Sequence, residues 1–254
     1  MKKLLAFASA ALLMVGCHDD SSIQTIAGEG AMKICATASG EVITKAGEES
    51  GVMVDVPQIA DFSLKITGNN FEKSWESVSD YDFESERYTA GKYNVSIEYG
   101  DATAEGYNVP YFYALQEVEV LDRNRTTNVE LVATVGNAIV EVVTTENFRG
   151  YFPQHKFTMT TASNTFELKE NDDELLFVAP QENVAIDCTC IRQSNLASGK
   201  EETLATQYIP TVKARTRYIV TYDLRSAGNV TITVTLNETI IDTFEVEVEL
   251  NENA

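Results

Sequence analysis

The chain of 254 residues holds 39 acidic against 19 basic side chains, two histidines and four cysteines, for a formal net charge of −20. That balance excludes nucleic acid as a partner, because phosphate neutralisation needs clustered Lys and Arg, and argues equally against peripheral binding to anionic lipid. Solubility through net repulsion accounts for most of the charge.

In chain order, Lys2 and Lys3 precede a run of apolar and small residues from Leu4 to Gly16. A bilayer span needs about 20 such residues, so this shorter run reads as a signal peptide over residues 1–16. Met14-Val15-Gly16-Cys17 resembles the lipobox of bacterial lipoproteins, with methionine where leucine is usual. The resemblance implies cleavage before Cys17 and lipidation of its thiol, palmitate included. Each buried CH₂ then contributes about 0.8 kcal/mol to anchoring. An ordinary signal peptide cut near Ala8 to Ala11 is the alternative. The tether, residues 17–27, begins His18-Asp19-Asp20-Ser21-Ser22, which looks like the acidic signal behind surface display on the outer membrane of Gram-negative gut anaerobes; it equally suits a solvated linker. Cleavage removes two lysines and deepens the net charge to about −22.

Beyond the tether, period-two alternation dominates. Tyr93, Val95, Ile97 and Tyr99 alternate with polar residues, as do Val230, Ile232, Val234 and Leu236, and Phe244, Val246, Val248 and Leu250. Each run reads as a half-buried antiparallel strand, and no stretch sustains an apolar helical stripe. The chain also repeats itself. "YTAGKYNVSIEY" (88–99) lies over "FVAPQENVAIDC" (177–188), with Ala90 on Ala179 at a shift of 89. Arg125 falls on Arg215 at a shift of 90, and "GNAIVEV" (136–142) on "GNVTITV" (228–234) at 92. Such a repeat marks a duplicated unit. The expected fold is all-β: two tandem antiparallel β-sandwich domains of immunoglobulin-like size, residues 28–135 and 136–254. The last two strands either complete the second domain's sheet or pair with a neighbouring molecule.

Chemistry is sparse. Outside the tether the only histidine is His155, and no GxSxG, HExxH, P-loop or GxGxxG is present, so the expectation is no enzyme, no cofactor and no metal. The acidic runs 80–84 and 171–174 lack the glycine and distal glutamate of an EF-hand loop. Cys188 and Cys190 share one face of a strand and read as buried small apolar residues. Aromatics are the better candidates. Trp75 and Tyr81 lie in an irregular stretch, Tyr107 and Tyr111 in "GYNVPYFY", and such rings recur in recognition surfaces. These four are the candidate ligand contacts, against a core-packing alternative.

The lipobox, the paired units, "TAGKYNVSIEYGD" (89–101) and "RNRTTNVELVATVGNAIVEV" (123–142) together resemble a fimbrillin-related family of surface lipoproteins of gut anaerobes, a domain family of unknown function described in terms of cell adhesion. The resemblance implies two transthyretin-like sandwiches and a non-catalytic adhesion or fimbria-associated role. It also implies partners among host or bacterial surface proteins, glycans, or fimbrial subunits joined by strand addition. A fimbrillin-type processing site would fall at Lys45, where arginine is usual. The competing function is a glycan-binding lipoprotein of a nutrient uptake system.

Overall fold

A computed structural model describes residues 28–42, 54–68, 70–121, 125–170, 173–226, 229–236 and 239–247. The signal peptide, Cys17, the tether and Lys45 lie outside them. The described residues are all-β apart from short helical turns. In chain order the first half runs β1 (Glu29–Ser39), β2 (Ser63–Gly68), β3 (Phe71–Trp75), β4 (Tyr88–Thr89), β5 (Gly91–Tyr99), β6 (Gly106–Tyr107), β7 (Phe112–Val120) and β8 (Thr126–Val135). The second half runs β9 (Ala138–Thr144), α1 (Glu146–Tyr151), β10 (Gln154–Thr160), β11 (Thr165–Leu168), β12 (Leu176–Val178), β13 (Gln181–Ile191), β14 (Glu202–Thr203), β15 (Gln207–Val212) and β16 (Arg217–Ser226). Two further strands, β17 (Asn229–Leu236) and β18 (Thr239–Glu247), close the order.

Three sheets result. The first has the order β3-β2-β5-β7-β8-β1-β4. The second is β11-β10-β13-β14, with β15 also on β13, and the third is β18-β17-β16-β9-β12-β6. Alternation explains the strands: in β5, Tyr93, Val95 and Ile97 are buried while Lys92, Asn94 and Glu98 face out.

The pairing pattern repeats. β1 runs parallel to β8 and antiparallel to β4; β9 runs parallel to β16 and antiparallel to β12. β2 pairs with β3 and β5, and β10 with β11 and β13. Ala90 and Ala179 sit just before β5 and β13 in corresponding places. The final strands do not open a third unit. β17 lies antiparallel on β16 and β18 on β17, so the hairpin extends the third sheet from within the chain.

Two cores form, and two strands serve both. Ala138, Val140 and Val142 of β9 join Leu176 and Val178 of β12 in one cluster, whereas Ile139 and Phe177 point into the other. An unbroken apolar run buried on both faces is what such a shared strand requires. The segment α1 escapes a search for long apolar stripes because it is a single capped turn: the Thr145 hydroxyl accepts from the Phe148 N–H at 3.2 Å.

Candidate binding surface and the joint beside it

The four predicted aromatics do not converge. Trp75 lies opposite Leu64, on the inward side of its sheet. Its ring meets Tyr81 edge-on at 5.1 Å and 89°, and Lys73 Nζ stands 4.9 Å above it. The Tyr81 hydroxyl donates to the Met32 carbonyl at 2.8 Å, and burial raises its pKa. Both rings therefore border the first core. Tyr107 belongs to β6, where its hydroxyl accepts from the Lys169 N–H at 2.9 Å and donates to the Glu167 carbonyl at 3.3 Å, with Lys169 Nζ over the ring. Tyr111 lies against Gly136 so closely that a Cβ there would stand 2.4 Å from its ring; only glycine fits. Burial, then the Glu98 carboxylate, pushes the Tyr111 hydroxyl up to about 12.

A different set of residues is open to solvent. Tyr113 and Leu115 of β7 face outward, opposite Glu98 and Ser96 of β5. On the other side Tyr113 pairs with Thr134 of β8; two residues further along that strand Val132 faces outward opposite Thr37 of β1. Tyr113 is 37 % exposed, Leu115 55 % and Val132 56 %. The Tyr111 and Tyr113 rings lie 6.1 Å apart and within 18° of parallel. The same face carries Lys65, Lys92, Asn94, Ser96, Glu98 and Thr134, so the strip is an apolar patch within a mixed polar and charged surface, and apolar strips of this kind mark contact surfaces. Sequence alternation around β7 and β8 carried a signal for this strip: Leu115 and Val132 occupy positions where an outward-facing strand residue should be polar.

Beside this face the two halves are locked by one carboxylate. Glu105 Oε1 accepts from Gln181 Nε2 and the Ala179 N–H, and Oε2 accepts from Thr161 Oγ1 at 2.6 Å and Asn164 Nδ2 at 2.9 Å. The strand β6 then pairs with β12, Gly106 opposite Phe177. The Asn137 side chain completes the joint, donating to the Val109 carbonyl and accepting from the Tyr111 N–H. Nothing in the local sequence of Glu105 announces this role, because all four donors come from residues more than fifty positions away.

His155 is also fully engaged. Its Nδ1 lies on the Phe152 carbonyl, which can only accept, and Nε2 lies 2.7 Å from Glu170 Oε1. Glu170 Oε2 accepts from the Thr144 hydroxyl. The imidazole ties α1 and β10 to the segment after β11, and the residue opposite it on β13 is Cys190. Cys188 and Cys190 are buried, and Cys190 beside it, with burial, pushes the Cys188 thiol up, which makes for an inert thiol. Among the described residues no three His, Cys, Asp or Glu side chains are grouped to hold a metal ion. Asp82 accepts from the Glu84 N–H, and that bond, first, holds its carboxyl below the usual range.

Three sheets built around two cores place the chain in the all-β class of proteins. Within it, the chain belongs to the family described as Domain of unknown function (DUF4493), whose model matches residues 28–252. No curated protein matches it. Among solved structures similar to it is a putative cell adhesion protein from Parabacteroides distasonis ATCC 8503, at 7 % identity and TM-score 0.49, covering 84 % of this chain and 98 % of that one. Another is a fimbrial assembly protein from the same organism, at 8 % and 0.48, covering 86 % and 98 %. A third is a putative cell adhesion protein from Bacteroides uniformis ATCC 8492, at 12 % and 0.44, covering 85 % and 100 %.

Proposed function

We propose that this chain is a non-catalytic surface lipoprotein, held in the outer membrane through Cys17, that binds a partner as an adhesin or fimbria-associated protein. Its two halves, residues 28–135 and 136–254, act as tandem transthyretin-like sandwiches. The observation that carries the reading is the solvent-open strip of Tyr113, Leu115 and Val132. Aromatic residues such as tyrosine at the centre of a contact supply much of its binding free energy, while apolar neighbours such as Leu115 and Val132 exclude water around them. Cells displaying the triple variant Tyr113→Ala, Leu115→Ser, Val132→Thr should lose about tenfold or more in adherence, equivalent to at least ~1.4 kcal/mol. Equal display and equal adherence would remove the strip from the function.

The parallel rings of Tyr111 and Tyr113, with the Tyr111 hydroxyl 3.4 Å from Glu98 Oε2, favour a second reading in which the same face takes a glycan for uptake. A glycan array with Tyr113→Ala as control separates the two: sugar binding lost in the variant favours capture. Trp75 and Tyr81 serve either reading by supporting the sheet from behind. Fimbrial strand addition would use the hairpin β17–β18, with β18 at the outer end of its sheet. A chain lacking residues 229–254 that still folds and assembles normally would end that idea.

A further inference from the structure

We infer that this protein is a load-bearing element, in which the parallel pairs β1–β8 and β9–β16 are shear clamps arranged in series along the path of tension. The argument is geometric. In the first half the entering strand β1 and the leaving strand β8 are parallel neighbours, in register from Ala31↔Thr126 to Ser39↔Thr134. Tension that draws residue 28 away from residue 136 pulls β1 by its start and β8 by its end. The two strands must then slide past one another, and all nine residue pairs resist together. An antiparallel hairpin pulled at its open end yields one bond at a time instead. The Ala31 N–H donates to the Arg125 carbonyl at 2.9 Å, which sets the parity of the ladder: the N–H groups of Lys33, Cys35, Thr37 and Ser39 point to β8 as well. Val129, Leu131, Ala133 and Val135 are buried behind it, so water has no easy access to replace strained bonds.

The second half repeats the device. The chain crosses from β8 to β9 in two residues, Gly136 and Asn137, and Asn137 is itself pinned to Val109 and Tyr111. Load therefore enters β9 at its start, while load from the C-terminal side passes through the β17–β18 hairpin and reaches β16 at its end once that hairpin has come away. These strands are again parallel, from Ile139↔Arg217 to Thr144↔Tyr222. A side-chain tie spans the same pair: Arg217 Nε and Nη2 bond both oxygens of Glu141 at 2.6 Å. Two-pronged Arg–carboxylate contacts resist sliding because displacement along the strand breaks both bonds. At the far end the Thr145 N–H donates to the Tyr222 carbonyl and the Thr145 hydroxyl to Asp223. Thus two independent features, the parallel register and the cross-strand tie, oppose the same motion.

The inference rests on the proposed surface role only for the source of the pull; the clamp itself belongs to the fold. Single-molecule stretching of the chain between two handle domains tests it by comparing two directions of load. In one, the handles sit at the two chain ends. In the other, one handle is joined at Leu121→Cys in a Cys35→Ser background. The carbonyl of Leu121 lies against Gly30 at the start of β1, so this pull opens the same β1–β8 ladder from its first bond. End-to-end rupture force should exceed the second geometry several-fold, with two clamp events after release of the β17–β18 hairpin and the longer nine-pair clamp yielding at the higher force. Because both measurements use a natively folded chain, they do not depend on a destabilising variant. Cys35→Pro, which deletes one loaded N–H while its side chain faces solvent, should lower only the end-to-end force; Cys35→Ser should not. Equal forces in the two geometries would overturn the inference even if adherence proved normal. Unchanged adherence of the triple variant with strong clamps would instead count against the functional reading alone.

Discussion

Replacing Glu105 by alanine should cost the folded protein about 2–4 kcal/mol, since a carboxylate hydrogen bond is worth roughly 1.5–3 kcal/mol and four donors lose their common acceptor. Part of the loss is recovered because water reaches the exposed members of the set, which keeps the figure below a plain sum. The fall in Tm should be about 5–15 °C at this chain length. All four partners are donors: Gln181 Nε2, the Ala179 N–H, Thr161 Oγ1 and Asn164 Nδ2. Glu105→Gln therefore keeps one acceptor and sets an NH₂ against the other pair, so it should recover only part of the stability. Urea unfolding with two spectroscopic probes checks both points. Coincident wild-type and Glu105→Ala curves would mean that the shared strands β9 and β12 hold the halves together without the carboxylate.

Alkaline unfolding should be steep above pH 10. Burial raises the hydroxyl pKa of Tyr81, Tyr88, Tyr111, Tyr218 and Tyr222. In the unfolded chain tyrosine ionises near pH 10. A raised folded value means that the stabilisation is fully present below pH 10 and is lost as pH rises through the folded values. Each such tyrosine steepens the loss by up to about 1.4 kcal/mol per pH unit. Against a typical stability of about 5–15 kcal/mol, unfolding should fall within about two pH units above 10. The share of the tyrosinate absorbance that belongs to these five residues should appear only together with the loss of circular dichroism. Absorbance that reaches the full value for all eleven tyrosines while the sheets persist would contradict the burial. Tyr222→Phe is the sharpest variant, because that hydroxyl is buried without a partner. Removing it should add about 1 kcal/mol at neutral pH and move alkaline unfolding upward.

Much of the architecture was legible before any coordinate. Alternation in "KYNVSIEY" identified β5 and its buried face, and the shift of 89 residues placed Ala90 and Ala179 at corresponding points before β5 and β13. Period-two patterns are local, so they survive in the sequence itself. The start of β9, Ala138-Ile139-Val140, was harder, because a segment buried on both faces has no polar phase to read. The aromatic candidates show the same boundary. "GYNVPYFY" drew attention to Tyr107 and Tyr111, but Tyr107 is covered by Lys169 and Tyr111 by Gly136, while neighbouring Tyr113 is the one left open.

What the sequence determined by itself is the type of element and its inward face, both set by spacing along the chain. Only the tertiary structure decided which strands lie parallel, that Glu105 locks one half to the other, and that Leu115 and Val132 share an exposed face. Those outcomes depend on contacts between residues many positions apart, and loop closure leaves no periodic trace in the residues it brings together.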